Sequence, residues 1–127
     1  YADRSFITRV PRLGNPDIIL IFGGINDNWA NTPIGEYKYG DFKRADLYTY
    51  RPALAKLIEL AQEHYPNVTL YFIISDDLKT EIVESTKVVC EHYGIKYVQL
   101  QGIEKESGHP TVKGMETIAN QVLTLIK

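Results

Sequence analysis

The segment Pro16-Asp17-Ile18-Ile19-Leu20-Ile21-Phe22-Gly23-Gly24-Ile25-Asn26-Asp27 decides how this chain is read. Five consecutive apolar residues, Ile18 to Phe22, run from a Pro-Asp pair to two glycines. Their number and β-branched content suit a strand buried on both faces, as in a parallel sheet. Gly23 and Gly24 end the strand and let the backbone turn sharply. The turn delivers Asn26 and Asp27 to the strand's carboxyl end, where open α/β sheets bind their ligands. A site is therefore expected close to Asn26. A strand this apolar also belongs inside a sheet rather than at its edge.

Outward from that strand, the chain alternates helix and strand. Upstream, residues 1 to 14 read as a short helix, with Asp3 as cap and Phe6, Ile7 and Val10 on one face. Downstream, residues 28 to 50 form a long connection without period. Its tryptophan, phenylalanine and four tyrosines argue against disorder. Pro52 suits a helix's first turn, and Leu54, Leu57, Ile58 and Ala61 form the stripe that follows it. Val68 to Ile74 reads as a second strand, ending at Ser75-Asp76-Asp77, where side chains of this type cap the next helix. That helix carries Ile82, Thr86, Val89, Cys90 and Tyr93 on one face and stops at Gly94. Ile95 to Leu100 is a third strand. A polar loop, Gln101 to His109, leads to a last helix with Met115, Ile118, Ala119, Val122 and Ile126 on one face. The alternation implies an α/β fold, a parallel sheet with helices on both sides. Three strands are few for such a sheet, and a neighbour of the first is expected to be missing.

The 127 residues make one domain, with 44% apolar and 24% charged content. A net charge of −2 offers no cationic excess for nucleic acid or anionic membrane. No apolar run reaches the roughly 18 residues of a bilayer span. The one cysteine, Cys90, excludes an internal disulfide framework and sits on an apolar stripe as a core residue. Neither an initiating Met nor a signal peptide precedes Tyr1, which reads as an internal start. No metal is indicated: Asp76-Asp77 lack matching histidines, and His64 and His92 read as surface or capping residues. Gly23-Gly24 fits neither the dinucleotide nor the P-loop fingerprint, which weighs against a nucleotide-binding flavodoxin-like domain.

Two loops leave strand carboxyl ends with residues of catalytic type. One holds Gly24-Ile25-Asn26-Asp27 and the other Glu104-Lys105-Glu106-Ser107-Gly108-His109-Pro110. Both belong to the same edge of a parallel sheet, so His109 and Asn26 can meet across a cleft. An imidazole titrates near neutral pH and suits a general base. An asparagine amide suits an oxyanion. Taken singly, the histidine also fits a solvated loop and the asparagine ordinary turn chemistry.

Together, in this order, they resemble the SGNH hydrolases, the GDSL-like esterase and acylhydrolase superfamily. Gly24-Ile25-Asn26-Asp27 matches that family's third motif, Gly-x-Asn-Asp. Glu106-Ser107-Gly108-His109-Pro110, with Gly114 beyond it, matches the fifth, except that Glu stands where Asp is usual. The resemblance implies a three-layer, flavodoxin-like α/β sandwich. It implies a serine esterase acting on small acyl or acetyl esters, carbohydrate esters among them, without a cofactor. Asn26 would donate to the oxyanion and Gly24 would permit the turn that aims it. His109 would be the general base and Glu106 its orienting acid, with Glu104 as competitor. Trp29 is the preferred substrate contact. The long aromatic loop fits ligand stacking and packing on its own side chains equally.

The family's Gly-Asp-Ser motif is absent, and Ser5, Ser75, Ser85 and Ser107 are poor substitutes. Residues 1–127 are accordingly expected to be the carboxyl-terminal part of one SGNH domain. The missing amino-terminal segment would be its partner and would supply the nucleophile. An exported location follows only from family habit. The alternative is a non-catalytic α/β binding module or pseudoenzyme that uses the loop from 28 to 50.

Overall fold

The computed structural model describes residues 17–23 and 33–126. The helix expected over residues 1 to 14 lies outside the described residues. β1 (Ile18–Phe22), β2 (Thr69–Ile74) and β3 (Lys96–Gln99) form a parallel sheet in the order β1-β2-β3. Ile19 pairs with Leu70 and Phe72 with Tyr97, so all three strands end at one edge. Helices α1 (Tyr50–His64) and α2 (Thr80–His92) link the strands, and α3 (Val112–Ile126) follows a two-stranded hairpin.

Strand alternation sorts the core into two layers. Ile19, Ile21, Leu70, Phe72 and Ile74 pack with Leu54, Ile58, Ala61, Ile82, Val89 and Cys90 of α1 and α2. Ile73 and Leu100 pack with Ile103 and with Ile118 and Val122 of α3. The result is helices, sheet, helix. Fully burying a side chain such as Phe72 or Ile58 is worth about 1.5–3 kcal/mol, and both are at most 1% exposed. Cys90 is completely buried, which pushes its thiol up to about 12 and makes it a core residue, as expected.

Among the described residues β1 is an edge strand, not a central one, and its Ile18 and Leu20 are each 46% exposed. The last helix also departs from expectation. Ile118 and Val122 are buried, but Met115 is 55% exposed and Ala119 is exposed, so the stripe is wider than the face in contact. α3 packs against β3 and against the hairpin, and its other side, with Met115 and Leu123, is exposed.

The described part of the long connection, residues 33 to 49, packs on the helices. Tyr39 stacks on His92 at 3.5 Å between ring centroids, and Arg51 lies 3.9 Å above the Tyr37 ring. The backbone N–H groups of Tyr50 and Arg51, in the first turn of α1, donate to the carbonyls of Pro33 and Ile34. The loop thereby satisfies donors that a helix start leaves open. Thr86 donates to the Ile82 carbonyl, so the buried Tyr50 hydroxyl, 2.6 Å away, is its donor partner.

Candidate active site

The carboxyl edge of the sheet is formed by Phe22, Ile74 and Gln99, the last residues of the three strands. Gly23, just beyond β1, is buried. From β3 the chain enters the segment that carries Glu106 and His109. Where a loop was expected there is a hairpin, β4 (Lys105–Glu106) against β5 (His109–Pro110). Ser107 and Gly108 turn it, with φ of 51° and 80°. Positive φ at both turn residues is the signature of the tight type I′ turn, whose twist matches paired strands. Ser-Gly between two short segments was the signal for it in the sequence.

The turn puts Glu106 and His109 directly opposite each other in the ladder. Cross-strand neighbours of this kind have Cβ atoms roughly 5 Å apart. Both side chains are exposed, and no hydrogen bond joins them among the described residues. Glu104 takes a different part: its carbonyl oxygen accepts from the Thr111 N–H at 3.0 Å.

Four attachments hold the hairpin to the body. The Gln121 amide bonds both ways with the Gln101 backbone, at 2.9 and 2.8 Å. Ile103 is buried against α3, and its N–H donates to Asp76 Oδ2 at 2.9 Å. Lys105 Nζ lies 2.5 Å from Asp76 Oδ1 and 2.9 Å from Asp77 Oδ2. The Thr111 contact to Glu104 closes the base. Asp76 and Asp77 thus do not cap α2, whose N-cap is Lys79. A basic side chain at the root of the hairpin claims both carboxylates first.

Burial works against the charge of Asp76, but the bonds from Lys105 and Ile103 outweigh it and hold its carboxyl below the ordinary range. Bonds from Ser75 and Lys105 lower Asp77 likewise. Lys105 is disfavoured by burial yet raised overall by its two acids. The lowered acids stabilise the fold above about pH 4, and that contribution is lost as pH falls through their depressed values. The raised lysine contributes fully below about pH 10.4 and loses its share as pH climbs through its raised value. The ion cluster is therefore complete at neutral pH.

Gly114 sits where α3 begins, against the base of the hairpin. A Cβ there would drive into the Glu104 carbonyl oxygen, a backbone atom that cannot swing aside. Gly114→Ala is expected to cost about 1–3 kcal/mol as overpacking and to displace the hairpin. Chemical denaturation will show the loss as a lowered midpoint at unchanged slope.

Gly24, Asn26 and Trp29 lie outside the described residues, as does Ser5. The other serines are already engaged. Ser75 donates to Asp77 at 2.7 Å rather than capping α2. Ser85 is fully buried and accepts from Arg51 Nε at 2.9 Å. Ser107 occupies the hairpin turn. Among the described residues no three His, Cys, Asp or Glu side chains are grouped to hold a metal ion, and no helix is long and apolar enough to cross a membrane.

The family model for GDSL-like lipase/acylhydrolase matches residues 1–126. The chain belongs to the GDSL-like lipase/acylhydrolase family. Two crystal structures are similar to it over nearly its whole length. A candidate GDSL-like lipase from Bacteroides ovatus is 50% identical, with a TM-score of 0.96 over 99% of this chain and 61% of that one. A candidate GDSL-like lipase from Bacteroides uniformis is 48% identical, with a TM-score of 0.95 over 98% of this chain and 58% of that one. This GDSL-like chain therefore spans about three fifths of the length of these relatives. No curated protein matches it. The parallel sheet with helices on both faces is part of the GDSL-like family's SGNH fold.

Proposed function

We propose that residues 1–127 are the carboxyl-terminal part of one SGNH domain that hydrolyses small acyl or acetyl esters, with its nucleophilic serine in a segment preceding Tyr1. The observation that carries this reading is the hairpin that sets Glu106 opposite His109 beside the sheet's carboxyl edge. His109 takes the proton of the serine as it attacks the ester carbonyl, then passes it to the departing alkoxide. It next activates the water that releases the acyl group. Glu106 orients the imidazole and stabilises its cation. The ladder register favours Glu106 over Glu104 for that part, since the Glu104 backbone is tied to Thr111.

Asn26 donates its amide to the oxyanion. It lies three residues beyond Gly23, within about 14 Å of the end of β1 by chain length alone. Trp29 lines the substrate side. The open edge of β1, with Ile18 and Leu20 half exposed, fits the docking of the segment that brings the serine.

The test is labelling with a fluorophosphonate probe. The protein extended upstream of Tyr1 is expected to be modified at one serine in that upstream segment, and residues 1–127 alone are expected to stay unmodified. An extended protein that resists the probe would favour a binding module without catalysis.

A further inference from the structure

The reading above needs His109 in a fixed place, yet His109 stands on a hairpin of two residues per strand, exposed to solvent. A two-stranded hairpin is at best marginally stable by itself. Its order must come from attachments at its base, and the one nearest the hairpin partner Glu106 in the chain is its neighbour Lys105. We propose that Asp76, Asp77 and Lys105 are positioning residues that hold the His109 hairpin against the end of β2 for the reaction. This rests on the reading of His109 as the general base.

The geometry is specific. Asp76 reaches across 27 residues to the Ile103 N–H and across 29 to the Lys105 ammonium, using a different oxygen for each. Asp77 takes a second proton of the same ammonium and is itself steadied by the Ser75 hydroxyl. Ser75 is 5% exposed and follows directly on β2, so the clamp is rooted in the sheet. The Lys105 and Asp76 side chains are only 20% and 17% exposed, which limits competition from water. None of the three is placed to touch substrate in this scheme; they act through the backbone that carries Glu106 and His109.

The experiment uses the full-length protein and four variants: Asp76→Asn, Lys105→Met, Lys105→Arg and His109→Ala. Asp76→Asn can still accept from Ile103 but turns an N–H toward the ammonium. Lys105→Met keeps the apolar stem and removes the charge. Turnover of p-nitrophenyl acetate and amide exchange over residues 103–111 are measured together. Asp76→Asn and Lys105→Met are expected to lower kcat by about tenfold to a hundredfold, the scale of a misplacement near 1 Å. KM should move less than about twofold, since binding is not what the clamp serves. Exchange should quicken over 103–111 and stay unchanged in α1, and Lys105→Arg should restore most of kcat.

If His109→Ala abolishes turnover while both clamp variants keep wild-type kcat, the positioning inference is overturned and the catalytic reading stands. If His109→Ala itself keeps normal turnover, the catalytic reading fails and takes this inference with it. Unchanged exchange in both clamp variants also overturns it.

Discussion

His109→Ala in the full-length protein will lower kcat for p-nitrophenyl acetate by about 10²- to 10⁴-fold, the span that general acid–base catalysis contributes. The same imidazole is asked to act twice, in acylation and again in releasing the acyl group, so no step escapes its loss. The fold is expected to be nearly indifferent. The His109 side chain is exposed, and no hydrogen bond ties it to another described residue. Surface substitutions of this kind stay within about 0.5 kcal/mol. Steady-state kinetics beside a denaturation curve will separate the two effects. A variant that unfolds at the wild-type midpoint and turns over within tenfold of wild type would remove His109 from the mechanism. Glu106→Gln is the natural companion, and its smaller deficit would measure how much orientation across the ladder adds.

Asn26→Ala is the second large effect. Loss of one oxyanion donor costs about 10²–10³ in kcat, because the charge on the oxygen develops only on the way to the tetrahedral intermediate. KM should change little for the same reason, since the neutral carbonyl of the bound ester asks less of the donor. The argument for Asn26 comes from its place in the sequence: three residues past Gly23, at the end of the strand whose register with β2 and β3 defines the carboxyl edge. Asn26→Asp is the sharper companion, since a carboxylate at that place would repel the oxyanion. Wild-type kcat in Asn26→Ala, measured on folded protein, would mean that other donors hold the oxyanion.

Much of this fold was legible because its signals are local. Ile18 to Phe22, the stripe Leu54, Leu57, Ile58 and Ala61, and the run to Ile74 each state their element through composition and spacing. The structure finds β1, α1 and β2 there, within a residue or two of the expected ends. Gly94, with φ of 69°, ends α2 as its lack of a side chain allows. Glu106 and His109 were found through their motif, three residues apart, and the hairpin accounts for that interval: a two-residue turn makes the flanking residues partners. Gly114, noted as part of the same motif, is explained by the backbone oxygen it lies against.

What the sequence determined by itself, then, is the order of the three parallel strands and the three long helices among the described residues, the catalytic residue types that follow β1 and β3, and the family they resemble. Each follows from the spacing of neighbours along the chain. Only the tertiary structure decided that Asp76 and Asp77 serve Lys105 rather than the start of α2, and that Tyr39 and Arg51 bind the long loop to the helices. It also decided which side of the last helix is buried. Those choices join residues far apart in sequence. A carboxylate that can cap a helix can equally meet an ammonium 29 residues away, and which it does depends on how the chain packs, not on its neighbours.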